Sequence, residues 1–171
     1  MPKKRIYLDT SVISYLRQED APEKMAETLE FWEILKTGKY EVYISDVTIF
    51  ELSKCLEPRR AELLALLSKI DYNEIETKDH ADITELSIAI AKQKLLPERS
   101  VNDRLHIAAA ILSGCNILVS WNFKHLVNVK TIDGVRMISI ANNLNPVDIY
   151  SPTMLFERSD TDGEADNQPE L

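Results

Sequence analysis

Asp9 stands where an apolar run stops. In "RIYLDTSVISYL", residues 5 to 16, a strand-like segment ends in this carboxylate, and Thr10 and Ser11 follow before a helix-like pattern begins. An Asp at such a place caps the next helix or helps to hold a metal ion. Thr10 and Ser11 are able to cap as well, which leaves Asp9 free for other work. Glu51 lies in "VTIFELSKCL", four residues from both Val47 and Cys55 on one helical face, and so off any clean polar stripe. A carboxylate on a half-buried face needs a partner, or it sits at the rim with its head in water. Asp103, in "SVNDRLHIAAA", is three residues after a capping Ser100, where an acid favours the helix dipole. The small residues after it mark a tightly packed helix, with Asp103 at its inner end. His106, one turn along, reads as a packing or hydrogen-bonding histidine. Each acid alone has a structural explanation. Together, a strand-end Asp, a mid-helix Glu and an Asp opening an Ala-rich helix suggest a shared site.

The elements that must carry these residues alternate. Strands are expected near residues 4–8, 40–45 and 116–121, with a weak one at 73–77 and a last one in "VRMISI". Helices are expected from Ala21 to Gly38, through "VTIFELSKCL", from Pro58, from about Asp79 to Leu95, and from Ser100 to Gly114. "FKHLVN" reads as a helical turn, and Asp46 as the cap of the helix bearing Glu51. Strands alternating with helices indicate a three-layer α/β/α sandwich around a short, mainly parallel sheet. Ligands in such folds bind at the carboxyl ends of the strands, near a reversal of strand order. Asp9, Asp46 and Asn122 all fall at that edge.

The chain of 171 residues is 44% hydrophobic, enough for one domain with a real core. Residues 1–150 are assigned to that domain, and 151–171 to an acidic, disordered tail. No apolar run is long enough to span a membrane, and the start lacks a signal-peptide core. The expectation is a cytoplasmic protein with no membrane partner. Cys55 and Cys115 are far apart and in apolar surroundings, which suggests two thiols and no zinc site. The net charge of −8 disfavours a nucleic-acid partner mildly, but residues 159–171 carry five of the acids and no base. The remaining 23 acids nearly balance 20 bases, so the charge does not veto RNA.

In "YLDTSVISYL", "ISDVTIFEL", "NDRLHIAAA" and "ILVSWNFKHL", taken in order over residues 5 to 127, the sequence resembles the PIN-domain family. Within it, the chain looks like the VapC-like toxins of bacterial type II toxin–antitoxin pairs. The resemblance implies an acidic pocket for Mg²⁺ or Mn²⁺ and hydrolysis of RNA phosphodiester bonds, leaving a 5′-phosphate and a 3′-hydroxyl. It matches Asp9, Glu51 and Asp103 to the three principal acidic positions. A fourth acidic position is Asn122 here, which removes one negative charge and weakens the case for a second ion. Ser11 and Ser120 are candidates to hydrogen-bond the acids. An antitoxin partner and a homodimer are further expectations of the family.

The chemistry suits this set. Two carboxylates about 4 Å apart repel by roughly 4 kcal/mol at an effective dielectric of 20. A hard divalent ion relieves that conflict and prefers oxygen ligands. Arg17, Arg104 and Lys124 are candidates to grip substrate phosphates, against the alternative of ordinary surface charges. A phosphatase of the haloacid dehalogenase type needs an acid two residues after the strand-end Asp, where this chain has Ser11. A receiver domain needs a strand-end lysine, and none stands out. The remaining rival is a PIN-fold binding module without catalysis, favoured by Asn122 and the acidic tail.

Overall fold

The computed structural model describes residues 1–156. Five strands form one parallel sheet: β1 (Arg5–Leu8), β2 (Glu41–Ser45), β3 (Asn73–Ile75), β4 (Ile117–Val119) and β5 (Asp148–Tyr150), in the order β3-β2-β1-β4-β5. The helices are α1 (Thr10–Ser14), α2 (Pro22–Lys36), α3 (Asp46–Ser53), α4 (Arg59–Leu67), α5 (Ala81–Lys92), α6 (Val101–Leu112) and α7 (Val129–Ala141). The expected three-layer α/β/α sandwich is the architecture observed.

The pleat sorts the core into two halves. In β1, Ile6 and Leu8 point into a cluster with Val12, Phe31, Trp32, Leu52 and Leu63, built on the α1–α4 side. Tyr7 points the other way, into a cluster with Ile83, Leu86, Ile107 and Val135 from α5, α6 and α7. Trp32 is fully packed and donates its Nε1–H to Leu66 O at 3.1 Å. Gly38 and Gly114 follow the last residues of α2 and α6 with φ of 73° and 70°. A side chain resists that backbone, and both glycines are where the sequence places helix stops.

Two expectations change. "VRMISI" is part of helix α7, not a last strand. Val135, Ile138 and Ser139 are its buried side, at helical spacing, while Met137 and Ile140 are exposed apolar residues that imitate a strand's composition. Asn128 caps this helix, accepting the Thr131 N–H. The fifth strand lies beyond it. Asp46 does not cap α3 through its side chain. Its carboxylate reaches across to β3's loop, accepting from Thr77 N, Thr77 Oγ1 and Lys78 N at 3.0, 2.6 and 3.0 Å.

After β5, Pro152–Leu155 form a 3₁₀ turn, and Leu155 packs on the α2 side of the core. The rest of the segment expected to be a disordered tail lies outside the described residues. Among those residues, no helix is long and apolar enough to cross a membrane.

Candidate active site

Strand order reverses between β1 and β4. The chain runs outward through β2 and β3, then returns to the other side of β1 with β4 and β5. The loops leaving β1 and β4 therefore diverge at the carboxyl edge and leave a crevice. Leu8 pairs with Val119, and the Asp9 N–H bonds to Val119 O at 3.0 Å, so both strands present their next residues there. Those residues are Asp9 and Ser120.

Asp9 occupies the capping position of α1 by its backbone but makes no side-chain cap. Its Oδ2 accepts from Ser11 Oγ at 2.8 Å and Ser120 Oγ at 2.7 Å. Each serine in turn accepts a main-chain N–H: Trp121 to Ser11, and Asn122 to Ser120, both at 2.9 Å. The carboxylate is only 5% exposed and is held by groups from two strand ends. Trp121 anchors the β4 end by donating Nε1–H to Thr28 on α2 at 2.8 Å.

The other two acids arrive on helices. Glu51, on α3, has its Oε1 2.9 Å from the Thr10 hydroxyl and 2.7 Å from His106 Nε2. Asp103 sits in the first turn of α6, where Ser100 makes no side-chain cap and no capping box forms. Instead, its Oδ2 meets His125 Nδ1 at 3.1 Å. His106, also on α6, joins the acids: its Nε2 is 3.5 Å from Asp9 Oδ1, and its Nδ1 is 2.6 Å from the Tyr7 hydroxyl. Tyr7 passes the chain on to Ser45 at 2.7 Å.

The electrostatics follow from this packing. Burial and then the charge of Asp9 push the Asp103 carboxyl above the usual range, against the pull of His125. Burial also works to raise Glu51, but hydrogen bonds from His106 and Thr10 outweigh it and hold that carboxyl low. For His106, burial opposes the charged form, and Glu51 and Asp9 overcome it, so its pKa is raised. Asp103 thus feels the charge of Asp9, and His106 lies against both Asp9 and Glu51.

The donor set is hard oxygen, as Mg²⁺ or Mn²⁺ requires. As the side chains stand, no three His, Cys, Asp or Glu groups close around one point among the described residues. Asp9 is drawn to two serines, Glu51 to His106 and Asp103 to His125. This arrangement fits an ion held by one or two direct carboxylates, with its water shell bonded to the rest. It does not fit a dry cage of three acids.

The PIN domain model matches residues 6–125. The chain belongs to the PIN domain family. No curated protein matches it. The structure is similar to a chain in the crystal structure of VapBC2 from Rickettsia felis bound to a DNA fragment from their promoter. The TM-score is 0.54 at 17% identity, over 86% of this chain and 98% of that one. PIN domains are in general nucleases, and typically use divalent metals.

Within this PIN domain, the remaining candidates separate. Arg104, expected to grip a phosphate, is buried, and its guanidinium donates to Pro97 O and Glu98 O, both at 3.1 Å, so it clamps a loop. Arg17 is paired with Glu62 at 3.3 Å on the α4 side. Lys124 is exposed. Asn122 turns its Oδ1 to the His125 N–H at 2.9 Å, which commits that oxygen to shaping the loop after β4. The hollow beside Asp103, a cavity of about 370 Å³, is walled by Glu51, Arg99, Asn102 and His125. Thr10 and His106 contact the candidate acids, and the sequence reading did not place them in the site. The spacing of Asp103 and His106, one turn apart on a helix, was the available signal.

Proposed function

We propose that this PIN domain is an endoribonuclease that uses Mg²⁺ or Mn²⁺, held by Asp9, Glu51 and Asp103, to hydrolyse RNA phosphodiester bonds. The observation that carries the reading is geometric: at the reversal of strand order, Asp9 from the end of β1 and Glu51 from α3 both contact His106 of α6, with Asp103 in the first turn of that helix. Like charges placed there by separate elements store repulsion unless a cation compensates them. A bound ion supplies neutralisation of the scissile phosphate and a water of lowered pKa for the attack.

The protein's own groups do the positioning. Ser11 and Ser120 fix the Asp9 carboxylate through Oδ2, which leaves Oδ1 3.5 Å from His106 Nε2. Thr10 and His106 hold Glu51 in one orientation. His125 does the same for Asp103. Arg99, exposed at the lip of the cavity, offers a planar charge to a phosphate.

The same reading makes the protein the toxin of a toxin–antitoxin pair, with an antitoxin protein as partner and a homodimer as the working form. The structural likeness to a chain of the VapBC2 complex supports the antitoxin partner. A second reading, a PIN-fold module that binds RNA or protein without cutting, draws support from the commitment of Asn122 Oδ1 to the main chain.

Cleavage assays separate the two. Structured and unstructured RNA are incubated with Mg²⁺, Mn²⁺ or EDTA, beside Asp9→Asn and Asp103→Asn. Metal-dependent cleavage lost in both variants is the expected result. Binding without cleavage in every condition selects the module.

A further inference from the structure

A second hollow adjoins the acidic one. It is a cavity of about 390 Å³ lined by Lys94, Leu95, Leu96, Pro97, Lys124, His125, Asn128 and Lys130. His125 forms part of the wall of both cavities. One of its ring nitrogens lies against Asp103, and the other, Nε2, is buried with no hydrogen-bond partner among the described residues. The three lysines come from three places: the loop after α5, the turn after β4, and the first turn of α7. None makes an ion pair among the described residues.

This grouping runs against the character of the molecule. In a chain of net charge −8, three lysines without an ion pair among the described residues line one cavity and give it a local positive field. Surface lysines scattered for solubility avoid each other. The loop that carries the hollow is also fixed from beneath. Arg104 spends two of its donors on Pro97 O and Glu98 O, and Ser100 N–H bonds back to Pro97 O at 2.9 Å. That loop lies between Lys94, which faces the lysine hollow, and Arg99, which faces the acidic one. A buried arginine that holds the partition between a basic and an acidic cavity keeps the two in register.

We propose that the lysine hollow is a phosphate subsite: Lys94, Lys124 and Lys130 hold a backbone phosphate of the RNA strand next to the one cut at Asp103. This rests on the nuclease reading for its substrate, and on the second cavity for its place. The subsite supplies the attraction that an acidic protein otherwise lacks and sets which side of the scissile bond is anchored.

The test measures binding apart from cutting. A fluorescently labelled single-stranded RNA is titrated with Asp103→Asn protein in Mg²⁺ over a series of salt concentrations. The same is done after adding Lys94→Gln, Lys124→Gln and Lys130→Gln together. The control adds Lys3→Gln, Lys36→Gln and Lys69→Gln, which removes equal charge from a cavity near Tyr40 and Glu41, at the opposite end of the sheet. The expected result is affinity at least about fivefold weaker in the first triple, with the slope of log K against log salt reduced by roughly two to three. The control keeps both. Equal loss in the two triples, no loss in either, or no RNA binding by Asp103→Asn protein overturns the subsite. If the subsite result holds while wild-type protein never cleaves RNA, the nuclease reading fails and the subsite stands. A labelled DNA strand of the same sequence, bound equally, assigns the lysines to phosphates and leaves the choice of RNA to other contacts.

Discussion

At the scale of single residues, the site depends on groups that hold the acids still. Ser120 gives Asp9 a 2.7 Å hydrogen bond inside the core. Ser120→Ala leaves one oxygen of a nearly buried carboxylate with Ser11 alone. Cleavage under single turnover is expected to fall about tenfold, as for other groups that orient a metal ligand. Folding stability is expected to fall by about 1–2 kcal/mol. Unchanged cleavage would remove Ser120 from the machinery. Part of this was readable in the sequence: Asp9 alone had an ordinary explanation as a helix cap, and Ser11 and Ser120 entered as candidates to hydrogen-bond the acids through the family resemblance. Arg104 was not readable. Its partners are the carbonyls of Pro97 and Glu98, and nothing in residue type says where a loop's carbonyls will point. His106 was half readable: its hydrogen bonds were expected, but its contact with Glu51, from a different helix, depends on how α3 packs on α6.

At the scale of elements, the strands at the centre of the sheet were legible and the outer end was not. Buried parallel strands are nearly continuous apolar runs, and "RIYL" and "ILV" show it. "VRMISI" has the same composition in a helix that exposes Met137 and Ile140, and the cap at Asn128 and the helical spacing of the buried Val135 and Ile138 distinguish the two. Asp46 illustrates the same limit. It stands where a cap is expected, yet it ties the start of α3 to the loop after β3. Burial works to raise its pKa, but the three hydrogen bonds from Thr77 and Lys78 prevail and lower it below the ordinary 3.8. A depressed carboxyl adds stability above its unfolded pKa and loses it as pH falls through the folded one. Asp46→Asn is therefore expected to cost about 2 kcal/mol at pH 7 in urea unfolding. The difference from wild type should shrink by pH 3. A gap of the same size at both pH values would mean that the charge of Asp46 does nothing for the fold.

At the scale of the whole molecule, the fold brings acids distant in sequence to one sheet edge, and on the proposed reading a cation relieves the repulsion between Asp9 and Asp103. Asp103 carries most of that burden, since burial and Asp9 both raise its pKa. In metal-free protein, Asp103→Asn is expected to match or exceed the wild-type melting temperature, although it abolishes activity. With ion at a hundred times its dissociation constant, wild type gains about 2.7 kcal/mol and the variant gains little. Melting curves in EDTA and in Mn²⁺ report both. A variant that melts well below wild type in EDTA would show that Asp103 is structural. Composition disfavoured nucleic acid only mildly, since residues 159–171 carry five of the acids; the separation of an acidic from a lysine-lined cavity adds a place where the proposed RNA substrate would be held.

The most direct measurement is Mn²⁺ binding followed by electron paramagnetic resonance on wild type, Asp9→Asn, Glu51→Gln and Asp103→Asn. Wild type should take up Mn²⁺ at a saturable site, and each substitution should weaken uptake at least about tenfold. Binding that survives all three substitutions, or wild-type protein that takes up no ion, contradicts a shared metal site at the end of β1.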